Sequence, residues 1–181
     1  MRRKNNIKQI TFCGITAALS TVIMLLAGIV PAAVIALPAM AGCLLIAVVV
    51  ETSAKWGFAV YAVCSVLSML LVADKEASLF YLLFFGYYPV LYACLARIGK
   101  KPLRVLVKLL IFNAAFILEG LISVYILHIP IDFIEKMGTL TIPILMILAN
   151  ITFVVYDFAL EGLAAVYIRR FHGKINKIFR F

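Results

Sequence analysis

QITFCGITAALSTVIMLLAGIVPAAVIALPAMAGCLLIAVVV, residues 9–50, contains no charged side chain. One crossing of a bilayer's hydrocarbon core takes about 20 predominantly apolar residues, so this run holds two crossings joined by a turn. The turn is expected at Pro31-Ala32-Ala33, with a second interruption at Pro38, because proline fixes φ and lacks the amide hydrogen that a helix interior needs. A chain that begins this way belongs in a membrane, and the remaining sequence continues the pattern.

Apolar residues make up 66% of the chain and its mean hydropathy is +1.14, against roughly 45–50% apolar residues in an average globular protein. The charges gather into clusters, and the apolar stretches between them lie at 56–73, 78–96, 105–127 and 142–166. With 10–30 and 34–50 these make six spans. The expectation is an all-α integral membrane protein: a single six-helix transmembrane domain over residues 1–181, with short connections and no separate soluble domain.

Lys and Arg in short loops stay on the cytoplasmic side, and the cations sort cleanly. Arg2, Arg3, Lys4 and Lys8 precede the first span and Lys55 lies between the second and third. Arg97, Lys100, Lys101, Arg104 and Lys108 fall between the fourth and fifth, and Arg169, Arg170, Lys174, Lys177 and Arg180 occupy the tail. Only Lys75 and Lys136 remain for the opposite loops, beside Asp74, Glu76, Asp132 and Glu135. Both termini are therefore expected in the cytoplasm. The net charge of +9 flanks apolar spans and does not interleave with aromatics on a soluble module, which suits anionic lipid headgroups and argues against nucleic acid. The apolar stretch after Lys8 exceeds the roughly 7–15 residues of a signal-peptide core, so the first span is expected to be retained.

Catalytic and metal-binding patterns are missing. Cys13, Cys43, Cys64 and Cys94 lie in apolar spans without C-x-x-C spacing and read as small hydrophobes. His128 and His172 belong to no H-E-x-x-H pattern, and there is no G-x-x-x-x-G-K-S/T phosphate loop. No cofactor is implied and the chain is not read as an enzyme. Any uphill movement would draw on an ion gradient or on another subunit.

Pro102 and Pro143 sit near the starts of the fifth and sixth spans and Pro130 closes the fifth, but Pro89, in Phe85-Gly86-Tyr87-Tyr88-Pro89, lies well inside the fourth. A proline there bends the helix and frees a carbonyl one turn earlier. Two readings stand: a packing bend among aromatics, or a kink opening a cavity lined by Tyr81, Tyr87 and Tyr88. Glu119, Asp157 and Glu161 are acids within apolar spans, and an Asp at the bilayer centre costs about 2.5–3.5 kcal/mol on insertion scales. Ser123 lies one turn beyond Glu119 on the same face. Asn150, Asp157 and Glu161 share a face of the last span, since spacings of seven and four return to nearly the same angle. The stripe admits a structural hydrogen-bond network including Asn113, a pairing of Glu161 with Arg97 or Arg169, a ligand site built on Glu119 with Asn150, and a proton relay through Glu119 and Asp157. In the first span small residues recur at helical spacing, Gly14 with Ala18 and Ala17 with Thr21, which lets helix backbones approach closely.

The length, the six spans, the cytoplasmic termini, the basic N-terminus leading into a small-residue first helix and the missing nucleotide motif together resemble the substrate-binding S component of energy-coupling factor transporters, the vitamin-uptake systems of bacteria. The resemblance implies a multi-pass protein of the bacterial cell membrane that captures a small-molecule nutrient such as a vitamin from outside. It also implies a transmembrane coupling subunit and two ATPase subunits as partners. The family's docking face maps onto Gly14, Ala17, Ala18 and Thr21, with Gly-x-x-x-Ala and Ala-x-x-x-Thr where the family has Ala-x-x-x-Ala. Its ligand location, in the outer half, recruits Lys75, Tyr81, Glu119, Ser123 and Asn150. Glu119 would engage a polar group of the ligand, tyrosines would stack on a flat ring, and Lys75 would draw an anionic substituent. A structural subunit of a cell-envelope assembly, of the rod-shape-determining type, has a similar length and span number and would need no internal polar site.

Overall fold

The computed structural model describes residues 2–96, 98–127 and 141–173. Every regular element among them is helical: α1 (Arg2–Ala27), α2 (Ala36–Cys43), α3 (Leu45–Glu51), α4 (Ala54–Leu71), α5 (Lys75–Phe80), α6 (Tyr88–Leu95), α7 (Lys101–Tyr125) and α8 (Thr141–Tyr167). A 3₁₀ turn, Pro31–Ala33, links α1 to α2, and π-helical turns occupy Tyr81–Phe85 between α5 and α6 and Ile168–His172 beyond α8. Five described stretches are long and apolar enough to cross a membrane: Ile7–Ala27, Ala54–Leu71, Lys75–Leu95, Lys101–Tyr125 and Thr141–His172. Their length and apolarity fit the helices of an integral membrane protein. The expected second span differs, because Ala36–Glu51 is a shorter apolar helix broken at Leu44. Pro38 is not the break. It is the third residue of α2, in the first turn, where an amide hydrogen would have no intrahelical acceptor.

Apolar contact between helices gains little over contact with lipid tails, so close backbone approach and hydrogen bonds must hold such a bundle. Both are present in the first half of the chain. α1 buries Phe12, Thr16, Ser20 and Met24, four residues apart, against α2 and α4. Ser20 Oγ donates to the Ala41 carbonyl of α2 at 3.0 Å, and Cys64 Sγ of α4 reaches the Ala17 carbonyl at 3.5 Å. Thr16 and Thr21 return their hydroxyls to the carbonyls of Phe12 and Ala17 one turn back, which satisfies them without a second helix. The closest approach is at Gly42 of α2, where a Cβ would stand 2.1 Å from the Phe85 carbonyl oxygen.

Asp74 starts the central stretch by accepting from the Ala77 amide at 3.1 Å, which caps α5. The helix then widens into the π turn, where the Gly86 amide donates to the Tyr81 carbonyl five residues back at 2.8 Å. Pro89, in the first turn of α6, has no hydrogen to give the Phe85 carbonyl. That oxygen is the one lying against the Gly42 Cα. The Leu82 carbonyl receives the Tyr61 hydroxyl at 2.7 Å. The irregular turn is thus a joint: Tyr81 and Val90 belong to the core of α1–α4, while Phe84, Phe85 and Tyr88 belong to a second core with Phe112 and Ala115 of α7 and Phe153 and Leu160 of α8.

α8 touches the rest sparingly. Ile144, Ile151, Val155 and Phe158 are all more than half exposed, a surface suited to acyl chains. One expectation changes sides. Lys108 does not sit in a basic loop, because α7 starts at Lys101 and carries it about 10 Å into the helix, where it is buried.

Candidate functional site

α7 and α8 run antiparallel and meet in polar rungs. Lys108 Nζ donates to both carboxylate oxygens of Asp157 at 2.7 and 2.8 Å, the Tyr88 hydroxyl donates to Asp157 Oδ1, and the ammonium lies 4.2 Å from the centre of the Tyr92 ring. A turn and a half further along α7, Asn113 and Asn150 exchange amide hydrogen bonds of 2.9 and 3.0 Å. Each also donates to its own helix, at the Leu109 and Met146 carbonyls, both at 2.8 Å. Asn150 therefore stands in the interhelical network, not beside Glu119. Replacing Asn113 by alanine should cost about 0.6 kcal/mol, the average for such bonds in membranes, read from reversible unfolding in micelles.

The next polar residue of α7, Glu119, has no counterpart on α8. It is buried, and Ser123 Oγ, one turn along the same helix, donates to its Oε1 at 2.8 Å. In place of a rung there is a cavity of about 290 Å³ bounded by Glu119 and by Leu145, Leu148, Ala149 and Thr152 of α8. This lies at the lower end of the usual size of small-molecule sites. Its other walls are mainly rings. Phe84, from the π turn, packs edge-on to Phe112 at 5.1 Å and Phe153 at 5.7 Å, Phe112 stacks on Phe153 at 4.5 Å, and Phe80, Phe85, Phe116 and Tyr156 line the remainder with Ile35, Leu83 and Ala115, leaving the space partly open. The π turn sets Phe84 against Phe112 of α7 and Phe153 of α8, and Phe85 against Tyr156 of α8, and these rings line the space beside Glu119 where no rung joins the two helices.

The other expected ligand residues are placed elsewhere. Tyr81 is fully buried toward α4, its hydroxyl against the Cys64 thiol and its ring centre 6.4 Å from that of Tyr61. Neither it, Tyr87 nor Tyr88 bounds the cavity. Lys75 folds back on the end of α4, donating to the Met69 and Val72 carbonyls at 2.8 and 2.9 Å, as cations do at helix C-termini. Glu119 and Asp157 lie on separate rungs, about 16 Å apart along the helix pair, which leaves them too distant for direct proton transfer. Glu161 is exposed, and its suggested partner Arg97 lies outside the described residues, as do His128, Pro130, Asp132, Glu135 and Lys136. The expected docking stripe divides: Gly14 and Ala18 are exposed, with open space around Gly14, whereas Thr21 is buried and Ala17 packs into the first core.

Several residues carry this site without a sequence signal strong enough to single them out. The wall of phenylalanines is indistinguishable, in an apolar chain, from any packed helix face. Lys108 had a signal, a lone cation in Val105-Leu106-Val107-Lys108-Leu109-Leu110, seven residues past Lys101. Glu51, at the end of α3, is buried and accepts from the Tyr167 hydroxyl at 3.1 Å, with His172 Nδ1 also at 3.1 Å, which ties the end of the last helix to the first half of the chain. Among the described residues no three His, Cys, Asp or Glu side chains converge as metal ligands would. No family model, no curated protein and no solved structure matches the chain.

Proposed function

We propose that the chain is the substrate-binding membrane subunit of an uptake transporter of the energy-coupling factor type, in a bacterial cell membrane. Its ligand is a small, ring-bearing nutrient held between α5, α7 and α8. In this reading the bundle has six crossings and cytoplasmic termini, with Ala36–Glu51 and the Pro31–Ala33 turn making the second. The observation that supports it is Glu119: a buried carboxyl at the edge of an aromatic cavity, unmatched by α8 where Lys108 and Asn113 are both matched. An acid in an apolar helix is costly, and one that no neighbouring helix answers is placed for a guest. Glu119 and Ser123 carry the binding, and Lys75, Tyr81 and Asn150 shape the scaffold around it. Gly14 and Ala18, on the exposed face of α1, are where a coupling subunit would dock.

Native mass spectrometry of the chain, extracted gently from its own cells, tests the proposal. The expected result is a retained non-lipid molecule together with a membrane coupling subunit and two ATPases. Recovery with cell-wall proteins and no small molecule would favour the structural-subunit reading instead. Glu119→Gln should weaken ligand binding at least ten-fold in a titration, and an unchanged affinity would count against the assignment.

A further inference from the structure

We infer that the molecule taken by this cavity is a flat ring carrying a positively charged nitrogen, an inference that rests on the cavity being the binding site. The charge pattern gives the sign. The other buried acid, Glu51, accepts from Tyr167 and faces His172, and the half-buried Asp157 is paired with Lys108. Glu119 has a serine hydroxyl, and the charged group acting on it is Glu76, a second acid. Among the described residues no Lys, Arg or His bounds the cavity. An anionic guest would meet a carboxyl with no cation beside it among the described residues, and a neutral guest would gain nothing from the charged form of Glu119, whereas a cation is held by that form. A cation supplies what the rung geometry omits.

The walls agree with the sign. The rings of Phe80, Phe84, Phe85, Phe112, Phe116 and Phe153 surround the space, and the faces of aromatic rings attract cations within about 6 Å, more strongly when water is excluded. They also stack on a flat guest. Two further hydroxyls stand on the α8 wall. That of Thr152 is turned back to the Leu148 carbonyl at 2.9 Å, and that of Tyr156 is buried with no hydrogen bond to nitrogen or oxygen, next to the Cys43 thiol. One hydroxyl is thus engaged by its own helix and the other enclosed beside a thiol, which leaves the Glu119 carboxyl as the polar group offered to a guest by the described lining. About 290 Å³ accommodates a bicyclic ring with a short arm and little more.

Three probes with one ring system and different charges test this: tryptamine, tryptophol and indole-3-propionate, titrated calorimetrically into the full chain in detergent. Tryptamine should bind at least ten-fold more tightly than tryptophol, and indole-3-propionate most weakly. Glu119→Gln should bring tryptamine to within about three-fold of tryptophol. Gly120→Ala, where an added Cβ meets nothing within 4 Å, should preserve the ranking. Equal affinities, or a preference for the propionate, would overturn the charge assignment while leaving the cavity as the site. Failure of all three to bind would overturn the site as well. The ranking on the unaltered protein stands as a test by itself if Glu119→Gln does not fold.

Discussion

Lys108→Met should cost about 3–5 kcal/mol of stability in detergent micelles, because it strands the Asp157 carboxylate inside the helix pair with only the Tyr88 hydroxyl for company. The Lys108 side chain is 6% exposed and that of Asp157 22%, so little solvent remains to soften the loss. Asp157→Leu should cost a similar amount, leaving the ammonium with only the Tyr92 ring. The pair of changes together should recover most of the loss, since apolar side chains of similar volume commonly replace a buried ion pair at little net cost. Reversible unfolding of the three variants separates this from a packing effect. If the double variant is as unstable as the singles added together, the rung is not what joins α7 to α8.

Gly42→Ala should prevent α2 from seating against the central joint. The added methyl would stand 2.1 Å from the Phe85 carbonyl oxygen and 2.9 Å from its carbon, and neither backbone atom can move without unseating the turn that Pro89 sets. Overpacking in a core costs about 1–3 kcal/mol when side chains can yield, and here the obstacle is main chain, so at least the upper end is expected. Gly120→Ala, in α7, is the control. A Cβ there meets nothing within 4 Å, and the exchange should stabilise the helix by up to about 1 kcal/mol. Unfolding midpoints of the two variants, measured side by side, should move in opposite directions. Equal shifts would mean that the α2–joint contact is looser than described.

The spans were legible because charge and apolarity alternate on the scale of a bilayer. Five of the six expected stretches coincide with helices long enough to cross, and the starts at Pro102 and near Asp74 follow from local chemistry: a missing amide that costs nothing in a first turn, and a carboxylate that caps one. Partnership was less legible. The stripe of Asn150, Asp157 and Glu161 was visible from spacing alone, but spacing shows which residues share a face and not what each one meets. Asn150 meets Asn113, Asp157 meets Lys108, and Glu161 is exposed. Lys108 differs for a related reason: its place in the sequence groups it with the loop cations, whereas α7 begins inside that cluster and carries its last member inward. The bend at Pro89 admits two readings from sequence, a packing bend among aromatics or a space lined by tyrosines. The π turn before it instead rotates Phe84 and Phe85 toward α7 and α8 and sends Tyr81 the other way, a change of phase that no count of residues from the proline would give.

The account depends on the space beside Glu119 being occupied by a guest in the working protein, and an electron-microscopy map of the chain in lipid nanodiscs, prepared without detergent exchange, examines that space most directly. The prediction is compact, ring-shaped density between Phe84, Phe112 and Thr152 with one atom within hydrogen-bonding distance of the Glu119 carboxyl. A closed cavity in which Glu119 is bonded to a residue of α8, or an acyl chain threaded through it, would contradict the account.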